Sequence, residues 1–410
     1  MHLENTGNLY KRKVNTYDKL IVLTISLLAF GWLGGAIQVI RIYSICLLPY
    51  TFLLFLYQKN RFLKKLVIVG LCFLVYALSL TITYNKLRHW GYLSYVEWSY
   101  LFINCHILIA LLLFAQRAAR PKQSVVDGWT LFVVSTGVIG VWEIATGSHL
   151  STNTTQAERL ELGIGINGIL NKIYAAATFG NYNEYVTALC SAIPFLSYRL
   201  FNATTLKKIT LPLFSLLLCI VIITVNASRG GIMCIFLAGA TYLFYYRRSF
   251  FKHKKLLLIC LVLGISFALY TWGDLLFSQL TERMGVATFG ETGRSIIWAK
   301  NWAAICECYA MGCGSGAFNS HYVVASHSII IEILVFYGLP GLITFLWILW
   351  IIWRKYRRAL TPIRMTLATF FITFIPYSII NSNYLQYAFF WVFMASLLIF
   401  ATRGKIIEPV

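Results

Sequence analysis

Charge is scarce in this chain. Asp, Glu, Lys and Arg make up 12% of its 410 residues, about half the share of an ordinary soluble domain. So few charges cannot clothe a soluble surface of that size. No glycine-rich loop ending in Lys-Ser or Lys-Thr occurs, so ATP hydrolysis has no support. No D-x-D motif occurs either, which argues against a soluble-type glycosyltransferase fed by nucleotide sugars. Internal repeats, low-complexity tracts and a soluble domain at either end are all lacking. The apolar runs also lack the period-2 alternation of barrel strands. No A-x-A-type cleavage site follows the first run, which starts near Lys19, so it reads as a first span and not as a signal.

What the chain has is hydrocarbon. Hydrophobic residues make up 59% and mean hydropathy is +0.71. Runs long enough for a helix to cross about 30 Å recur from end to end. The spacing predicts an all-α polytopic membrane protein of about twelve transmembrane helices. They fall near 20–36, 42–57, 66–84, 97–115, 129–146, 183–200, 209–226, 231–246, 256–272, 328–353, 365–380 and 384–402. The run at 328–353 is interrupted at Gly338-Leu339-Pro340-Gly341, which predicts a bend or a short segment ahead of a span. The chain divides into an N-terminal bundle of about nine spans (1–272), a large loop (273–327) and C-terminal helices (328–410).

The formal net charge of +21 would suggest nucleic acid in a soluble protein; here it marks sidedness. With the N-terminus inside, 26 of the 35 Lys and Arg fall on the inner segments, as the positive-inside rule requires. Both termini are then cytoplasmic, and no nucleic-acid partner is expected. The other nine are Arg41, Lys86, Arg88, Arg159, Lys172, Arg229, Arg283, Arg294 and Lys300. Two outside loops are long, about 147–182 and about 273–327, and long loops in tight membrane proteins tend to be functional.

Several outside residues need more than topology to explain them. Arg229 lies in the short turn Asn226-Ala227-Ser228-Arg229-Gly230-Gly231. It either snorkels to the interface or clamps an anion, with the adjacent glycines admitting backbone N–H groups. Arg294 sits at a helix start in the large loop, where a guanidinium and a helix N-terminus both suit phosphate oxygens; the bland alternative is a surface pair with Glu291 or Glu282. Gly312-Cys313-Gly314-Ser315-Gly316 is a glycine-rich bend loosely like a phosphate cradle. His327 stands where the loop re-enters the bilayer, ahead of Glu332, and could take a proton from a sugar hydroxyl or satisfy an interfacial hydrogen bond. His321 competes with it, whereas His106 lies mid-span and reads as a helix–helix partner. Cys306, Cys308 and Cys313 could form a disulfide outside the cell. They lack the His cluster of a zinc site, so no metal and no cofactor are expected. Tyr270, Trp272, Trp298, Trp302 and Tyr322 suit an interfacial belt better than sugar stacking.

Taken together, these segments resemble the O-antigen ligase/polymerase superfamily, the Wzy-type polymerases and WaaL-type ligases. The resemblance runs from about 178 to about 395. It is carried by Thr178-Phe179-Gly180-Asn181-Tyr182-Asn183, Ser228-Arg229-Gly230, Gly293-Arg294-Ser295-Ile296-Ile297-Trp298, the 312–316 bend, and His327-Ser328 through Gly341. Ser328 departs from the Asn found in many relatives. The resemblance implies a metal-independent, GT-C-like glycosyltransferase in the bacterial inner membrane, working at the periplasmic face on undecaprenyl-diphosphate-linked glycan. Arg229 and Arg294 would hold the diphosphate, with Gly314, Gly316 and Glu332 also in the substrate site, and His327 would act at the acceptor hydroxyl. Expected partners are the lipid-linked glycan, membrane lipids, a chain-length regulator and a flippase. Polymerisation of repeat units is the leading expectation, and ligation to lipid A–core its rival. A transporter of lipid-linked sugars is the distant third, because it would need charges lining several spans. Here acids such as Glu143 and Glu332 lie near span ends.

Overall fold

The computed structural model describes residues 13–32, 38–89, 91–150, 174–202, 206–253, 293–317 and 325–402. They form a helical bundle with no strand among them. The chain begins with α1 (Thr16–Ser26), extended by a 3-10 turn (Leu27–Phe30), then α2 (Val39–Leu56), α3 (Arg61–Arg88), α4 (Leu93–Arg117) and α5 (Pro121–Thr146). It continues through α6 (Tyr182–Asn202), α7 (Leu206–Val225), α8 (Arg229–His253), α9 (Gly293–Glu307), α10 (Ile329–Tyr356) and α11 (Thr361–Ser378). A 3-10 turn (Tyr384–Gln386) leads into α12 (Ala388–Ala401). Eleven of the twelve expected spans coincide with a helix. The span at 256–272 lies outside the described residues, and α9 belongs to the long loop.

Five helices, α2, α3, α4, α5 and α10, are long and apolar enough by themselves to cross a membrane. The protein is accordingly a membrane protein. α2 and α3 turn large apolar side chains such as Phe52, Leu56 and Val75 outward, a face suited to hydrocarbon. α12 is short, about 21 Å long at 1.5 Å per residue, yet every residue in it except Trp391 is buried. It is the central post of the bundle, walled by protein. An aromatic core surrounds it: Phe195 packs on Phe393 and Phe400 and stacks on Trp129 at 5.8 Å between ring centroids. The Trp129 indole N–H donates to Ser396 Oγ at 3.1 Å. His106 bridges α2 and α4 through Ser44 (2.7 Å) and Thr51 (2.6 Å), the helix–helix role its mid-span position predicts.

Polar contacts sort the two ends of the bundle. At one end Asp18 accepts the N–H groups of Ala119 (3.1 Å) and Arg120 (2.8 Å) and the Ser124 hydroxyl (2.9 Å). Arg199 reaches Asp127 there at 2.7 Å. The start of α1, the α4–α5 turn and the end of α6 therefore share an end, which is the grouping the Lys/Arg distribution requires. The opposite end carries the candidate site.

Candidate functional site

A broken helix and a glycine bend complete each other here. Gly338 (φ 60°, ψ −156°) interrupts α10, and Pro340 has no N–H to offer the carbonyl four residues back. The Val335 and Phe336 carbonyls are thereby freed; they accept from Cys313 N (2.6 Å) and Gly314 N (2.9 Å). In exchange, Leu339 N donates to Ala310 O at 2.8 Å. The backbones cross closely enough that a Cβ on Gly338 would lie 2.2 Å from Met311 C, and one on Gly312 2.6 Å from Gly338 N. Ser315 N continues to Thr81 Oγ1 (3.2 Å) and Gly316 N to the Glu97 carboxylate. A Cβ on Gly316 would lie 2.5 Å from Ser94 Cβ. All four N–H groups from Cys313 to Gly316 are committed to protein acceptors. The bend docks the loop onto α3, α4 and α10, a use unlike the phosphate cradle its glycines suggest. A Cys308–Cys313 disulfide closes it, with Cα atoms 5.6 Å apart, while Cys306 stays free.

α9 carries Arg294 as its second residue. Trp298, one turn on along the same face, donates its indole N–H to Ser326 O at 2.7 Å. That bond ties the helix of Arg294 to the residue before His327. Its neighbour Trp302 is 62% exposed, as a belt residue would be. His327 is half-buried with φ 46°, held in a tight local loop in which Ser326 Oγ donates to Ser328 O (2.9 Å). Five residues on, Glu332 is fully buried and accepts from Tyr384 N (3.0 Å) and Leu385 N (2.9 Å). His321 lies outside the described residues.

The 384–386 turn is gripped from two other helices besides. Asn104 of α4 donates to Leu385 O (3.2 Å) and Gln386 O (3.0 Å). Arg41 of α2 is 1% exposed and donates Nη2–H to Gln386 O. Its guanidinium lies 3.8 Å over the ring of Tyr100 and 5.8 Å from that of Trp32. Trp32 in turn donates to both Glu184 oxygens (3.0 and 3.2 Å), and its backbone N–H to Thr178 O (2.7 Å). A continuous set of buried polar contacts thus links the Thr178-Phe179-Gly180-Asn181 stretch, through Arg41 and the turn, to the helix that His327 precedes.

Arg229 is exposed at the start of α8. The turn before it is anchored by Asn226, whose amide exchanges two hydrogen bonds with Ala175 (2.8 and 2.9 Å). Glu143 holds the same stretch through Ala176 N (2.8 Å) and Ala177 N (2.7 Å). Gly230 lets α8 abut Pro376 of α11 and Ile380 just beyond it, and Gly231 fits against Val186 and Ile223; these glycines serve close approach of helices. Arg229, His327 and the start of α9 thereby share one end of the bundle with the 384–386 turn.

Read from the sequence, Arg41 counts only as an outside cation, and Glu184, Asn104 and Asn301 carry no role. Asn301 is buried on α9, seven residues beyond Arg294, with neither amide atom hydrogen-bonded. The available signal was a polar side chain inside an apolar helix.

A family model described as O-antigen ligase matches residues 214–346, an interval that contains Arg229, Arg294, Gly314, Gly316, His327 and Glu332. No curated protein matches the chain. Over that third of the chain, the protein is similar to the O-antigen ligase/polymerase superfamily.

Proposed function

We propose that this protein, similar to an O-antigen ligase/polymerase-type family, polymerises undecaprenyl-diphosphate-linked oligosaccharide repeat units at the periplasmic face of the inner membrane. The observation that carries this reading is the Trp298–Ser326 bond. It joins the element bearing Arg294 to the hinge bearing His327, at the end of the bundle where Arg229 opens α8. The neutral His327 imidazole accepts the proton of an acceptor sugar hydroxyl. The hydroxyl oxygen attacks the anomeric carbon of the donor glycan, and the bond from that carbon to the diphosphate oxygen breaks. The lipid diphosphate leaves with the electron pair, and Arg229 and Arg294 stabilise its growing charge. The diphosphate linkage supplies the driving force, so no nucleotide is needed outside the cell and no metal enters the scheme. Gly314 and Gly316 shape the bend beside the site, and Glu332 positions the start of α10. The Cys308–Cys313 disulfide supports an oxidising, periplasmic location.

The ligase reading is favoured by the description of the matched family. It shares donor, clamp and base and differs in acceptor. A deletion strain separates the two: loss of a polymerase leaves lipid A–core with at most one repeat unit, and loss of a ligase strands full-length chains on the carrier. Purified protein given lipid-linked repeat units, with no gradient, should extend them. Arg229→Ala, Arg294→Ala and His327→Ala should each lower turnover by about 10²–10³ at normal membrane abundance, with His321→Ala much milder. Full activity in Arg294→Ala removes the clamp, and a dead His321→Ala moves the base to that residue.

A further inference from the structure

An apolar slot runs between α3 and α10, beneath the corner made by Glu332 and the 384–386 turn. Its floor is Leu108 of α4 with Phe390 and Met394 of α12. α10 lines it from Ile333 to Ile348, about 22 Å of helix at 1.5 Å per residue. Tyr337, Thr344 and Trp391 line it too, but their polar atoms bond to Ser315, Pro340 and Leu385, so the wall offers hydrocarbon. Val69, Gly70 and Ile348 are only half-buried; the slot opens sideways, between two helices that are each apolar enough to span a membrane. Its outer end is closed by Leu385, whose N–H is held by Glu332, five residues after His327.

We propose that this slot binds the hydrocarbon tail of the lipid-linked donor, an inference that rests on the glycosyl-transfer reading above. The slot runs along the helices, the direction an extended chain takes. A chain lying in it delivers its head group to the His327 end. Burying the tail in a fixed groove orients the diphosphate before the clamp closes, a positioning role that uniform hydrocarbon cannot supply.

Gly70 provides the test, because a Cβ there would meet nothing within 4 Å. A large side chain at this position starts from open space beside the slot, and leaving glycine favours the helix. In the wild type, a donor on a long polyprenyl anchor should show a KM about tenfold lower than the same glycan on a geranyl anchor. In Gly70→Phe that ratio should collapse to near one, with kcat on the geranyl donor unchanged and Gly70→Ala close to wild type. A ratio unchanged in Gly70→Phe overturns the proposal. So does a photoreactive phospholipid that labels the slot and is not displaced by polyprenyl phosphate. Should the wild type transfer no glycan from any donor, the function has failed and not the slot. Diazirine-bearing polyprenyl phosphate then decides the matter: labelling of α3 and α10 that Gly70→Phe abolishes upholds the slot, and equal labelling in both proteins overturns it.

Discussion

Left-handed backbone at ordinary residues concentrates where the candidate site is built. Ala177, Ala227 and His327 have φ of 49°, 47° and 46°, a region that costs an L-residue roughly 1–2 kcal/mol. One precedes the Thr178 stretch, one precedes Arg229 and its serine, and one is the candidate base itself. Such conformations persist only where neighbours over-determine them. Glu143 does so for Ala177: it is fully buried, and it also accepts from Leu150 N at 3.3 Å. Glu143→Gln replaces one acceptor oxygen with a donor amide facing these N–H groups. The expected cost is about 1–3 kcal/mol, read as a lower melting temperature in detergent, together with slower chain extension although the residue is remote from Arg294. A variant as stable as wild type would show that the 174–178 stretch is held without Glu143, by Asn226 and Trp32.

At the level of elements, the junction of α10 with the 310–316 bend has no slack. Gly338→Ala would drive a methyl group into the Met311 backbone, where no rotamer can relieve it. The folded protein should be lost or destabilised by more than about 3 kcal/mol. Gly239→Ala on α8 is the matched control, since a Cβ there meets nothing within 4 Å; it should be neutral or slightly stabilising. Equal yields of the two variants in a membrane-fraction immunoblot would sink this account. Both halves of the junction stand out in the sequence as glycine-rich motifs, but their partnership does not. Nothing in a linear pattern says that a carbonyl freed by Pro340 is taken by an amide more than twenty residues upstream. Helices were legible because apolar runs of membrane length have few other solutions. The 384–386 turn was not, because Arg41, Asn104 and Glu332 come from three distant helices and meet only when the bundle closes. Arg41 did surface as an outside cation, but its burial against Tyr100 and Gln386 is a tertiary fact. Arg229 and His327 could be picked out because each is a costly residue type at the edge of hydrocarbon, and Arg294 because it stands at a helix start in the long loop.

For the whole molecule, sidedness is the property on which the proposed chemistry depends. Among the described cysteines, Cys306 is exposed and free, Cys308 and Cys313 are paired and buried, and the others are buried or lie on the apolar helices α2 and α3. A membrane-impermeant maleimide applied to spheroplasts should therefore label Cys306 and none of the other described cysteines. Labelling that appears only in inverted vesicles would reverse the topology and remove the periplasmic site. The α10 junction also sets a timetable for biosynthesis. A ribosome makes the 310–316 bend before Val335 and Phe336 exist, so the bend is first made with its amides bonded to water. It can dock only after α10 has emerged and broken at Gly338. The site is thus assembled late, by the second half of the chain closing onto the first. A nascent protein stalled before residue 340 should contain Arg229, Arg294 and His327 and still lack the α10 junction and the 384–386 turn that holds Glu332.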